Sequence, residues 1–332
     1  GKYAATIFTT TMKAIIHTQY GAPEVLQHAE VPKPVPARDE VLVKIFATTV
    51  NRTDCGFRKP EYLMVYLIAG LFKPKNKILG TEFAGVVEAV GAGVTKFNIG
   101  DNVFGLRTYK FGTHAEYVCV KQNGSIATKP HNMNFQEAAA VCDGLMLAIN
   151  YIRKIDFSKP VKLLINGASG SIGTAAVQLA KYYGAQIHAV ANTKNIELIK
   201  SLGAEKVFDY TQEDFTKQNE QYDVILDAVG KSSYFKCKHL LKSGGVYFST
   251  ELGYAMQNMW LSLVTVFMNK KTKFPIPTDN QQDILLFKKI IEEGKYRAII
   301  ERVYPLHEII EATKYVETGQ KTGNIVIQVN EG

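Results

Sequence analysis

The sequence predicts an α/β protein in which a β-rich unit precedes a doubly wound parallel sheet. Three observations carry that prediction. Short β-segments separated by Gly and Pro turns fill Met12 to about Pro130. After about Phe135 apolar strands alternate with helices, the pattern of βαβ units. Between one such strand and its helix stands Asn166–Gly173, NGASGSIG.

The elements follow in order. MKAIIH, EVLVKIFATTV, FAGVVEAVG, DNVFGL and HAEYVCV place β-branched and aromatic residues at strand-like spacing. Val31–Pro36, VPKPVP, is a connector, since repeated Pro continues neither regular element. Gln136–Lys154 is Ala-rich with helical spacing and reads as one helix. VKLLING is a buried parallel strand, and the helix after it closes at Gly184. QIHAVAN, KVFDY, YDVILDAVG and GGVYFST read as further strands, with NIELIKSLGA a helix between the first two. Trp260–Met268, WLSLVTVFM, is half the length of a membrane span and reads as a buried or interface helix. From Pro275 two amphipathic helices lead to a last strand, NIVIQV.

Composition excludes several classes. The chain has 332 residues, 46% hydrophobic and 21% charged, which excludes long disorder. Its net charge of +8, from 39 basic and 31 acidic residues, is dispersed. The one local cluster, Lys73, Lys75 and Lys77, reads as solvated surface, so neither nucleic acid nor a membrane is an expected partner. Four scattered cysteines with no C-x-x-C pair and a first segment without a signal-type apolar run point to the cytoplasm.

The glycine turn carries the strongest chemical signal. Gly167, Ala168, Ser169, Gly170, Ser171, Ile172 and Gly173 form a candidate dinucleotide cradle. Gly170 lets the backbone approach a diphosphate, and Gly173 lets the helix pack closely on the sheet. The helix N-terminus adds free N–H groups and a positive dipole end. An NAD-type site places an acid about 20 residues further on, against the ribose 2′-hydroxyl. Here that stretch is Ala191-Asn192-Thr193-Lys194, and the next acid is Glu197. Asn192, Thr193 and Lys194 therefore favour NADP(H).

A second signal lies in the β-rich half. Gly80, Glu82, Gly85, Gly91 and Val94 match G-H-E-x2-G-x5-G-x2-V, so the chain resembles the medium-chain dehydrogenase/reductases over Met12 to Val329. Thr81 and Asn51 stand where that family's zinc-binding His and Cys stand; only Cys142 could correspond to a third ligand, and one thiolate cannot hold zinc. The resemblance is therefore to the zinc-independent branch of NADPH-dependent quinone and enone reductases, with no metal expected.

The resemblance implies a GroES-like domain at 12–134, a Rossmann domain at 135–274 and a return to the first domain at 275–332. It implies that Asn51 lines the cleft, that Tyr210 flanks the adenosine phosphate, that Val229 passes the nicotinamide, and that Lys321 and Asn324 close over the cofactor. Branch members carry a Tyr five residues after this Asn, where this chain has Gly56. Tyr62 or Tyr66 is then a candidate to polarise the substrate, and Asp54 to orient the backbone or cap the loop. The expected reaction is hydride transfer to a quinone or an α,β-unsaturated carbonyl. The rivals are a zinc alcohol dehydrogenase and a crystallin-like, non-catalytic NADPH-binding protein. A homodimer is expected through the apolar helix near Trp260.

Overall fold

The computed structural model describes residues 10–253 and 256–331. The β-rich unit opens with β1 (Thr11–Ile16) and β2 (Gln27–Pro32), an antiparallel pair. β3 (Glu40–Val50) is its central strand, buried along most of its length because both faces are covered. α1 (Arg52–Arg58) and α2 (Leu63–Ala69) follow, then β4 (Glu82–Val90), β5 (Asn102–Leu106), β6 (Tyr117–Lys121) and β7 (Ile126–Thr128). β4, β6 and the last strand of the chain all pair with β3.

α3 (Phe135–Ala139) and α4 (Cys142–Ile152) stand where one helix is expected. Asn134 and Glu137 cap the first in a reciprocal pair. The Asp143 N–H donates to Glu82 Oε2 at 2.8 Å, anchoring the start of the second. A contact from another element thus coincides with the break inside a stretch whose Ala content favours continuity.

The parallel sheet comprises β8 (Lys162–Asn166), β9 (Gln186–Ala191), β10 (Lys206–Asp209), β11 (Tyr222–Asp227), β12 (Leu241–Ser249) and β13 (Lys271–Lys273). Its strand order is β10-β9-β8-β11-β12-β13, so the topological switch lies between β8 and β11. α5 (Ser171–Tyr182) follows β8, α6 (Ile196–Leu202) follows β9, and α7 (Tyr234–Cys237) follows β11. α8 (Gln257–Val264) holds Trp260, whose side chain is exposed with Leu263, Val264 and Phe267, so the buried option for this segment fails.

α9 (Gln281–Glu292) packs on α4 and buries Ile284, Phe287 and Ile291 in the largest apolar core. That core also takes Ala47, Phe104, Leu163 and Val177, so it runs through both sheets' elements. The tail holds a strand the sequence reading lacks, β14 (Ile300–Pro305), parallel to β15 (Asn324–Gln328) across α10 (Ile309–Glu317). β15 pairs antiparallel with β3 and completes a seven-stranded sheet. Among the described residues no helix is long and apolar enough to cross a membrane.

Candidate active site

At the end of β3 the chain turns into α1. Asn51 Oδ1 accepts the Asp54 N–H and Asp54 Oδ2 accepts the Asn51 N–H, both at 3.0 Å, a reciprocal N-terminal cap. Asp54 Oδ1 also accepts the Gly80 N–H at 2.8 Å, tying α1 to the segment before β4. Asp54 therefore caps and orients backbone at once. Burial raises its carboxyl, while His114 and the two backbone bonds oppose that rise. Asn51 Nδ2 donates one hydrogen to Thr81 Oγ1 at 2.7 Å. Its second amide hydrogen remains to be used.

Next to Thr81, the Glu82 carboxylate is fully buried. It accepts from Thr49 Oγ1 at 2.5 Å and from the Asp143 N–H at 2.8 Å. Burial pushes both the Glu82 and Asp143 carboxyls upward, and the Asp143 carboxylate adds to the rise at Glu82. Lys321 is the cation these acids face. Burial pulls its ammonium down to about 8 while Asp143 and Glu82 hold it up. Its Nζ donates to the Gly323 carbonyl at 2.6 Å.

Gly323 joins this cluster to the glycine turn. Its N–H donates to the Ser169 carbonyl at 2.7 Å, and Gly170 and Gly323 form a parallel bridge. Asn51, Glu82 and Asp143 are thus linked through Thr81 and the Asp143 N–H, and Lys321 is linked to the turn through Gly323. Asn324 lies beside them but spends its backbone N–H and Nδ2 on the Ile299 carbonyl.

Within the turn the glycines have different jobs. Gly167 has φ +75°, and a Cβ there would meet Val229 Cγ1 at 2.4 Å. A Cβ on Gly173 would meet the Gly167 carbonyl oxygen at 2.1 Å, so this glycine admits the turn's own backbone rather than the sheet expected of it. A Cβ on Gly170 would have nothing nearer than 3.8 Å. Ser171, at the first turn of α5, keeps a buried Oγ with no hydrogen-bond partner. Ala168 is fully buried, while Ser169 and Ile172 are half-buried.

At the end of β9, Asn192 Oδ1 accepts from Asn195, and Thr193 is exposed. Lys194 pairs with Glu301 on β14 at 3.3 Å. An acid does reach this place, contrary to the reading that none does: Asp209, from the neighbouring β10, accepts Thr193 Oγ1 at 2.5 Å. Its other oxygen takes the Thr211 N–H and hydroxyl, and these bonds hold its carboxyl below the usual range. Tyr210 beside it is exposed.

Tyr66 packs edge-on against Tyr20 at 5.1 Å, and Tyr62 begins α2; no hydrogen bond among the described residues joins either to Asn51. Two further tyrosines feel the acidic cluster: Tyr296, buried, whose phenol burial and Glu82 push up, and Tyr109, 44% exposed and held at φ +61° in the loop after β5. Burial raises the Tyr109 phenol, and the Asp143 and Asp279 carboxylates add to the rise. A positive φ at a non-Gly residue leaves no mark in sequence. Arg52 and Glu251 form an ion pair at 3.1 Å between α1 and the segment after β12.

Residues 37–131 match the alcohol dehydrogenase GroES-like domain, and residues 202–327 match a family described as zinc-binding dehydrogenase. A 2-methylene-furan-3-one reductase of Solanum lycopersicum is 32% identical over 95% of this chain and 79% of its own length. The chain is a medium-chain dehydrogenase/reductase. An NADPH-dependent alkenal/one oxidoreductase of Arabidopsis thaliana is 29% identical over 95% of this chain and 79% of its own. A solved quinone oxidoreductase of Coxiella burnetii superposes with a TM-score of 0.87 at 27% identity, covering 97% of this chain and all of that one.

The zinc in one family description finds no fitting donors here. Asn51 presents an amide and Thr81 a hydroxyl, joined by a hydrogen bond, where a zinc site takes Cys, His, Asp or Glu side chains, which leaves Cys142 as a single thiol. Among the described residues no three His, Cys, Asp or Glu side chains are placed to hold a metal ion.

Proposed function

We propose that this medium-chain reductase binds NADPH and reduces a quinone or an α,β-unsaturated carbonyl. The observation that carries the proposal is an open glycine turn stitched through Gly323 to a segment bearing Lys321, with the buried polar groups of Asn51, Glu82 and Asp143 on the other side. Gly170 offers clear space, α5 begins with no side-chain cap, and Ser171 Oγ lacks a partner. Those features suit a diphosphate. Thr193, Lys194 and Tyr210 border the adenosine end, and the hydrogen bonds spent on Asp209 lessen its opposition to a 2′-phosphate. Val229 packs on Gly167 and would border the nicotinamide side.

The cofactor, when bound, supplies a hydride and its electron pair. Asn51 offers its remaining amide hydrogen to the acceptor oxygen, where negative charge develops. Its geometry is fixed by Thr81 and by the α1 cap, so little reorganisation is left to the reaction. Tyr109 Oη is the proton source we assign to the product oxygen or carbon, in place of Tyr62 or Tyr66. Trp260 and its exposed apolar neighbours on α8 supply a surface suited to a homodimer.

Loss of NADPH absorbance with 9,10-phenanthrenequinone and with an enone, repeated with NADH, tests this reading. Asn51→Ala should lower kcat by about 10- to 100-fold with NADPH affinity kept. Tight NADPH binding with no acceptor-dependent oxidation would leave a cofactor-binding protein without this chemistry.

A further inference from the structure

Between Glu61 and Glu82 the chain carries no acidic residue. Within that stretch α2 is inverted relative to an ordinary surface helix: its apolar stripe faces solvent. Leu63, Met64, Leu67 and Ile68 recur at helical spacing on the outside, at 40% exposure or more, and Leu71 and Phe72 continue the patch past the helix. Phe72 is 91% exposed. The inward side is held by buried Ala69 and by Tyr66 on Tyr20, whose hydroxyl donates to the Gly70 carbonyl at 2.5 Å. The outward stripe is therefore attached to a packed base.

Lys73, Lys75 and Lys77 follow immediately. All three are exposed, while Pro74 between the first two is buried and Asn76 is half-buried; Lys75 Nζ donates to the Leu67 carbonyl at 3.4 Å, which sets that charge directly beside the apolar stripe. Leucines and a phenylalanine beside three cations with no carboxylate among them match an anionic bilayer: the side chains enter the acyl boundary and the lysines meet the headgroups. A second copy of the chain fits less well. A two-fold contact through this patch brings each lysine trio against its own image, and lysine is depleted from protein interfaces.

We infer that α2 and the Leu71–Lys77 segment form a docking face for an anionic lipid surface. The contact is independent of which acceptor is reduced.

The test is co-sedimentation of the full chain with mixed phosphatidylcholine–phosphatidylglycerol vesicles and with pure phosphatidylcholine vesicles. Binding is expected to the mixed vesicles, weakening as salt is added. Lys73→Gln/Lys75→Gln/Lys77→Gln should lower the partition coefficient about a hundredfold, each charge carrying about fivefold. Leu67→Ser/Phe72→Ser should lower it by about tenfold or more while the lysines remain. NADPH binding and the thermal midpoint report that both variants are folded. Equal binding to both vesicle types, no binding to either, or a response to the lysines alone overturns the proposal. So does a mass that falls from dimer to monomer in Leu67→Ser/Phe72→Ser, which assigns the patch to a second copy.

Discussion

The two sides of the cleft are built in opposite ways. On the parallel-sheet side, the glycine turn is backbone architecture within eight consecutive residues, open where Gly170 faces space and closed where Gly173 meets the turn itself. On the other side, Asn51, Glu82, Asp143 and Lys321 come from four distant segments; Asn51, Glu82 and Lys321 work through side chains held in hydrogen bonds, and Asp143 through its backbone N–H. The contrast separates a site set by what is missing, namely Cβ atoms, from one set by what is satisfied. The first should fail sterically and the second electrostatically.

The largest effect should come from the turn. Gly173→Val places a branched side chain against the Gly167 carbonyl and should cost about 3 kcal/mol or more, with NADPH binding lost. Gly170→Ala should change stability by less than about 0.5 kcal/mol yet weaken NADPH at least about tenfold, because its methyl enters the diphosphate's space. Urea unfolding and fluorescence titration read the two quantities separately. Equal responses to the two substitutions would remove the distinction between closed and open glycines.

On the other side, Glu82→Ala leaves the Thr49 hydroxyl and the Asp143 N–H buried without their acceptor and should cost about 2–4 kcal/mol by urea unfolding. Glu82→Gln, which retains an acceptor oxygen, should recover much of that loss. If both variants unfold at the same urea concentration, volume rather than polarity holds the β-rich side.

Lys321 belongs to both sides and should sharpen the comparison through pH. Burial lowers its ammonium to about 8, so the side chain is charged below that pH and neutral above it. A bound diphosphate favours the charged form, so Lys321 contributes a fall in NADPH affinity above pH 8 of at most about tenfold per unit, beside the contributions of Asp143 and Glu82, pushed up to about 7 and about 8. In Lys321→Met that share of the fall should vanish and affinity below pH 8 should be weaker. An unchanged profile in that variant would detach Lys321 from the cofactor. The smallest effect is expected at Gly56, in α1, where a Cβ would meet nothing within 4 Å. Gly56→Ala should stabilise the protein by about 0.5–1 kcal/mol with turnover unchanged.

What could be read in advance follows the same division. The glycine turn and the strands beside it were legible because a βα turn is a local grammar, written in consecutive residues. Glu82 is visible as one letter of a motif, but its partners Thr49 and Asp143 lie 33 and 61 residues away and carry no spacing rule. Asp209 escaped notice because it reaches Thr193 through the pairing of β10 with β9, a neighbour across the sheet rather than along the chain. β14 carries a weak strand signal because its six residues end in Pro and set Glu301 and Arg302 side by side instead of alternating, so pairing with β15 decides it. Tyr62 and Tyr66 are near Asn51 in sequence, whereas Tyr109, which feels Asp143, stands beyond β5 on a left-handed backbone that no spacing rule marks.

The bond from the Gly323 N–H to the Ser169 carbonyl, with the Gly170–Gly323 bridge, stitches the glycine turn to the segment that leads into β15. Because β15 pairs with β3, whose end carries Asn51, a shift of the turn is passed along backbone to the buried amide rather than absorbed by side chains.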